Sequence, residues 1–263
     1  MTVFHAIVEL SKASWRVLRR HPRLLYFPFL SLATMIVMLR WIGVIVIPTD
    51  DDELPWLSLL VLTSITYLVH VFYTAALTSE ALRALRGDTP SIANGLATAV
   101  ARMPAIASFA VITGTFGFLL AMIGRTTKVA VRIARAMVAT AWSLATYLAI
   151  PVMVQERRGG LTSLRRSSDL FRRTWGETTL SEVGIRVLTA QLGILFVMLA
   201  LILLDLLGDG LGAAIVLLAA IGLISVIGTL EAIYRAALYV FAAEGVIPQP
   251  FDDPALQDIW RTK

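Results

Sequence analysis

The chain has 263 residues, of which 57% are hydrophobic and 16% charged, against about 25% charged in a typical soluble domain. With 23 Lys and Arg against 18 Asp and Glu, the formal net charge is +5, and the mean hydropathy is +0.78. These figures exclude a soluble globular domain and a disordered chain, and the absence of cysteine excludes a disulfide scaffold, a zinc–thiolate site and a cysteine nucleophile.

What remains is an integral membrane protein. A helix crossing a bilayer needs roughly 20 mostly apolar residues. Six stretches qualify: Leu24 to Ile47, Trp56 to Thr78, Pro104 to Ile123, Ala136 to Val154, Val187 to Leu207 and Leu211 to Leu230, with helical pattern continuing past the last. Residues 1–23 are basic and amphipathic and the apolar run after them is too long for a signal-peptide core, so no cleavable signal is expected.

An amphipathic segment precedes each odd-numbered span. Val3 to Arg20 carries His5, Glu9, Lys12, Arg16 and Arg19 on one helical face. Ser91 to Met103 follows Thr89-Pro90, a good N-cap and N1 pair, and aligns Ile92, Leu96, Val100 and Met103. Leu161 to Trp175 aligns Leu161, Leu164, Phe171 and Trp175 opposite Arg165, Arg166, Asp169, Arg172 and Arg173. The even-numbered spans end on Tyr73-Thr-Ala-Ala-Leu, Tyr147-Leu-Ala-Ile-Pro and Tyr234-Arg-Ala-Ala-Leu, each followed by a break near Gly87, Gly159 or Gly245. The chain therefore reads as an all-α polytopic membrane bundle: six spans and three interfacial helices, in three units of surface helix plus hairpin. Residues 1–247 form one membrane domain and 248–263, rich in proline, a short tail in which Asp253-Pro254 could cap a final turn.

Basic residues mark the cytoplasmic side of short loops. They cluster before the first span, after the second and after the fourth, while the loop Asp50-Asp51-Asp52-Glu53 is acidic and falls outside, with Asp205 and Asp209. Both termini are then cytoplasmic. Arg125, Lys128, Arg132 and Arg135 break this rule. Their 3, 4, 3 spacing puts them on one face of an outward extension of the fourth helix. Two readings stay open: a stripe that binds an anion or headgroup or lines a vestibule, and neutralisation by the outer acidic residues, which is favoured.

Ionisable groups at membrane depth are functional candidates. Arg40, late in the first span, is read as snorkelling toward the acidic loop. His70 is read as a neutral histidine bonded to a neighbouring helix, with a proton relay as the alternative. Gln191 is an interhelical hydrogen-bond donor. Glu80 with Arg83, and Glu231 with Arg235, are spaced to pair along helices. Gly114 with Gly117, and Gly222 with Ser225 and Gly228, form small-residue faces suited to close helix packing. The three histidines are scattered and no HExxH, GxSxG or P-loop occurs, so no enzyme, cofactor or metal is expected. Nucleic acid is not an expected partner either, since the basic residues track the membrane interface.

The segments Trp15-Arg-Val-Leu-Arg-Arg-His-Pro-Arg-Leu-Leu-Tyr-Phe-Pro, Trp142 through Glu156, Leu164 through Glu177, and Ala236-Ala-Leu-Tyr-Val-Phe-Ala-Ala-Glu-Gly-Val-Ile-Pro resemble an uncharacterised domain-of-unknown-function family of prokaryotic polytopic membrane proteins. The plan is more distantly similar to the membrane domain of glycerophosphodiester phosphodiesterases, whose catalytic domain this chain lacks. The family resemblance implies a prokaryotic inner membrane and six spans, and supplies no activity or site residues. The leading functional expectation is a non-enzymatic protein that binds or organises membrane lipid, as a monomer or homo-oligomer, through Arg16, Arg19, Arg20, Arg165, Arg166, Arg172 and Arg173. The alternatives are an oligomeric pore or transporter with an outward basic vestibule, and a scaffold subunit for a partner on the cytoplasmic face.

Overall fold

The computed structural model describes residues 3–46, 56–123, 129–175 and 209–252, all helix or connecting turn. In chain order the helices are α1 (Val3–Arg20), α2 (Tyr26–Val46), α3 (Trp56–Leu85), α4 (Ile92–Ala101), α5 (Met103–Ile123), α6 (Val129–Thr146), α7 (Ala149–Gln155), α8 (Gly160–Trp175) and α9 (Asp209–Glu244), with a 3-10 turn at Pro22–Leu25. The fifth expected span, the acidic loop 50–53, Asp205, Gln191, Arg125, Lys128 and the expected turn after Asp253 lie outside the described residues.

Among the described residues, three stretches are long and apolar enough to cross a membrane: Met103–Leu120, Ala130–Gln155 and Leu218–Glu244. They correspond to the third, fourth and sixth expected spans. The first expected span is represented by a shorter apolar stretch, Pro22–Met38. The second falls in α3, whose end carries the buried Ser79 and Glu80.

The fourth span is broken. Pro151 cannot donate to the carbonyl four residues back and its ring crowds that turn, so α6 stops at Thr146 and α7 begins at Ala149. The N–H of Leu148, freed at the break, donates to Ser167 Oγ at 2.9 Å. By contrast α9 runs unbroken for 36 residues, about 54 Å at 1.5 Å per residue. It and α3 end on Gly245 (φ 72°) and Gly87 (φ 89°), the left-handed conformation that glycine adopts most cheaply at a helix C-terminus.

The helix contacts run in a cyclic order. α4 packs on α3, α8 packs on α7, and α1 packs on α9. Each surface helix thus lies on the helix that ends the preceding unit, and the first closes on the last. The three helices that end the units also meet, α3 with α7 and α9, and α7 with α9. Their buried residues are those of the recurring tyrosine segments: Ala75, Ala76 and Leu77; Tyr147, Ala149 and Ile150; Tyr234, Ala236, Ala237 and Leu238. Alanines at this seam let backbones approach closely.

The amphipathic helices turn their apolar faces into the bundle. In α1, Leu10, Ala13, Ser14, Val17 and Leu18 are buried, the i, i+3, i+4, i+7, i+8 stripe of a packed helix. The buried stripe of α8 differs from the expected one. It comprises Ser163, Leu164, Ser167, Leu170, Phe171 and Thr174, while Leu161 is exposed; small hydroxyl side chains fit this interface, and Ser167 Oγ accepts the Leu148 N–H there. In α4 the buried residues are Gly95 and Ala99, whereas Val100 and Met103 are exposed. Its N-cap is Ser91, one residue past the expected pair. The Ser91 N–H donates to Glu80 Oε2 at 2.6 Å, so a carboxylate from α3 caps the helix.

Two glycines set the closest approaches. A Cβ at Gly95 would lie 2.6 Å from Phe27 Cζ, and one at Gly160 would lie 2.5 Å from the Phe109 backbone nitrogen. Among the described residues, a Cβ at Gly114, Gly117, Gly222 or Gly228 would meet nothing within 4 Å, while Ser225 on the same face of α9 is buried. Gly160→Ala and Gly95→Ala are therefore expected to lower stability by about 1–3 kcal/mol through overpacking. Gly117→Ala should be neutral or stabilising by up to about 1 kcal/mol through helix propensity. Thermal midpoints of the purified variants in one detergent check this, and equal midpoints for all three would contradict it.

Candidate functional site

A cavity of about 330 Å³ lies between α2, α3, α7 and α9. Its walls are largely apolar, with Pro28, Leu32 and Met35 from α2, Leu77 from α3 and Pro151 from α7. Its polar groups are the hydroxyls of Ser31, Thr74 and Thr78, His70 and Tyr73 from α3, and Glu231 and Arg235 from α9. Ile224 and His70, both exposed, form its rim. Thr34 and Tyr73 share a 2.7 Å hydrogen bond that ties α2 to α3 beside it.

Glu231 and Arg235 form the pair that their four-residue spacing leads one to expect, with Arg235 Nη2 donating to Glu231 Oε1. No spacing or motif points to the third member. The Arg235 guanidinium sits 4.7 Å from the centre of the Tyr147 ring, a cation–π contact that strengthens away from water. It is available because the break before α7 places Tyr147 against α9. Neither charge is fully covered: the side chains of Arg235 and Glu231 are 29% and 37% exposed, and both line the cavity. His70 lines the same cavity, with its ring 6.4 Å from that of Tyr67, and among the described residues its ring makes no hydrogen bond to a neighbouring helix.

A second polar cluster joins the ends of the three central helices. Arg86, after α3, donates to Glu244 of α9 at 2.5 Å. With the Gln155 amide oxygen turned toward it, the same guanidinium donates to the end of α7 at 2.8 and 3.0 Å. Glu156 accepts from Arg158 at 2.7 Å and from Arg166 of α8 at 3.2 Å, and Tyr239 Oη lies 3.5 Å away. Of these residues only Arg166 was a candidate from sequence, as a lipid contact. The structure instead directs it into this clasp. The signal that could have found the others is positional, since all but Tyr239 lie within a residue or two of a helix end.

The remaining arginine candidates are exposed: Arg16, Arg19 and Arg20 on α1, and Arg165, Arg172 and Arg173 on α8. Arg40 on α2 and Arg132 and Arg135 on α6 are exposed too. The other half of that stripe, the acidic loop 50–53, Asp205 and Gln191 lie outside the described residues, and Asp209 opens α9.

Glu80 is fully buried. Its Oε2 accepts the Ser91 N–H, while Oε1 has no hydrogen-bond partner and lies 3.9 Å from Arg83 Nη1. Burial pushes its carboxyl above the usual glutamate range, against the opposing pull of the Ser91 N–H and Arg83.

The matched family covers residues 54–248 and is described as a family of unknown function, DUF6159. The chain belongs to this family. No curated protein and no solved structure matches it. The match spans the cavity residues of α3, α7 and α9 and the whole clasp, and leaves α1 and α2 outside.

A raised folded-state pKa means the folded form holds the Glu80 proton more tightly than the unfolded one. Stability from this group falls as pH rises from the ordinary glutamate value near 4.5 through the raised one. Glu80→Gln keeps an acceptor for Ser91 and removes the ionisation, so it should flatten the pH dependence of the thermal midpoint above pH 4.5. An unchanged pH profile in the variant would show that Glu80 does not titrate in that window.

Proposed function

We propose that the protein is a six-span, non-enzymatic membrane protein that holds anionic lipid headgroups at its cytoplasmic face. The single observation that carries this reading is the placement of α1 and α8. Their apolar faces are occupied by the bundle, so the helices are fixed in place and present Arg16, Arg19, Arg20, Arg165, Arg172 and Arg173 outward. Each Lys or Arg near an anionic leaflet is worth about 1 kcal/mol. Arginine also suits phosphate, because its planar fork can donate two parallel hydrogen bonds.

The six-span count adds to the three described apolar stretches the runs Leu24 to Ile47, Trp56 to Thr78 and Val187 to Leu207. With an even number of spans and the basic loops inside, both termini are cytoplasmic. The headgroups sit at the ring of surface helices, on the side where α3, α7 and α9 end. The residues that bind them need no ionisable partner, in keeping with a binding rather than a catalytic role.

Native mass spectrometry of the full chain in detergent, with phosphatidylglycerol or phosphatidylcholine added, tests the proposal. Wild type should retain more phosphatidylglycerol. Replacing Arg19, Arg20, Arg172 and Arg173 together by Gln should weaken that retention by roughly tenfold or more, less so at high salt. No preference for the anionic lipid in wild type would overturn the reading.

A further inference from the structure

We infer that the cavity between α2, α3, α7 and α9 binds one zwitterionic phospholipid, its acyl chain along the apolar wall and its headgroup on the Glu231–Arg235 pair. The inference shares with the proposed function only the assumption of a membrane; it does not depend on the basic surface helices.

Four observations carry it. The cavity, about 330 Å³, falls within the range of about 300–1,000 Å³ that small-molecule sites occupy. Its rim at His70 and Ile224 is exposed, giving a way in from the side of the bundle. Its charges lie where α9 passes out of the apolar run Leu211 to Leu230: Glu231 follows that run directly and Arg235 is one turn further. That is the depth at which a headgroup meets the bundle, and the pair opens into a cavity instead of being sealed. Finally, its chemistry is two-signed. Arg235 and Glu231 sum to no net charge, so a lone anion would meet a carboxylate as well as a guanidinium. A zwitterion offers a phosphate to Arg235 and an ammonium to Glu231, satisfying both.

The shape of α9 supplies a direct test. Gly228 lines the cavity and Gly222 does not, yet a Cβ at either would meet nothing within 4 Å. Gly228→Leu therefore fills the cavity, and Gly222→Leu is its control. The full chain is delipidated in detergent and given phosphatidylethanolamine or phosphatidylglycerol with identical acyl chains. The salt is high, to screen the exposed arginines. Native mass spectrometry counts the lipid retained.

Wild type and Gly222→Leu should retain one phosphatidylethanolamine at concentrations roughly tenfold below those needed for phosphatidylglycerol. Gly228→Leu should lose that lipid. The charge-neutral double variant Glu231→Gln, Arg235→Gln should bind both lipids alike, which tests the headgroup assignment even if Gly228→Leu fails to fold. Equal retention by Gly228→Leu and wild type, an equal or greater preference for phosphatidylglycerol, or an unchanged preference in the double variant would each overturn the inference. Loss of phosphatidylglycerol binding on substituting the α1 and α8 arginines, with the single phosphatidylethanolamine kept, separates this site from the surface one.

Discussion

The docking of α1 on α9 closes the bundle, and the rest of the structure depends on that closure. These helices stand at opposite ends of the described chain, so their contact is not the by-product of a short connection. It repeats what α4 does on α3 and α8 does on α7. Three like contacts arranged head to tail leave no free end. They draw the helices α3, α7 and α9 together, with Ala75, Ala76, Ala149, Ala236 and Ala237 among their buried residues. Larger residues there would hold the helices apart and open the core. At the ends of the same helices Arg86, Gln155 and Glu244 join in one polar clasp, which fixes the relative height of the three.

Closure also determines what the charged residues can do. An amphipathic helix lying freely at an interface buries its apolar face in lipid. Here those faces are spent on protein, and the arginines opposite them are held at fixed positions. The cavity arises from the same geometry. Pro151 breaks the fourth span, the break turns Tyr147 toward α9, and the Glu231–Arg235 pair finds an aromatic face instead of hydrocarbon. Space is left beside it because Gly228 contributes no side chain. A paired charge inside a bundle is tolerated when its hydrogen bonds and neighbours compensate desolvation, and Tyr147 is part of that compensation.

Much of this was legible in the residues. The helical class, α1 to its last residue, the third and sixth apolar stretches and both intrahelical ion pairs follow from periodicity and spacing. So do the recurring tyrosine segments, although their meaning as a shared seam emerges only in three dimensions. What failed did so for identifiable reasons. The buried stripe of α8 contains Ser163, Ser167 and Thr174, which a scale of apolar residues assigns to the outside. The cap of α4 comes from Glu80, a residue of another helix, and no local motif can reveal it. Glycine spacing pointed to Gly114, Gly117, Gly222 and Gly228, where a Cβ would meet none of the described residues, and passed over Gly95 and Gly160, which sit against neighbouring helices. The Tyr147–Arg235 contact joins residues far apart in sequence and needed the fold.

The central claim is that α1 is held against α9 rather than lying loose at the membrane surface. The chain contains no cysteine, so spin labels can be placed at will. Arg20, at the end of α1, and Val246, just past α9, are both exposed and suit a pair of labels through Arg20→Cys and Val246→Cys. Pulsed electron–electron resonance on the doubly labelled full chain in lipid nanodiscs should give one narrow distance distribution. A broad distribution, as from a helix free to move in the headgroup plane, would contradict the closure and with it the fixed display of arginines.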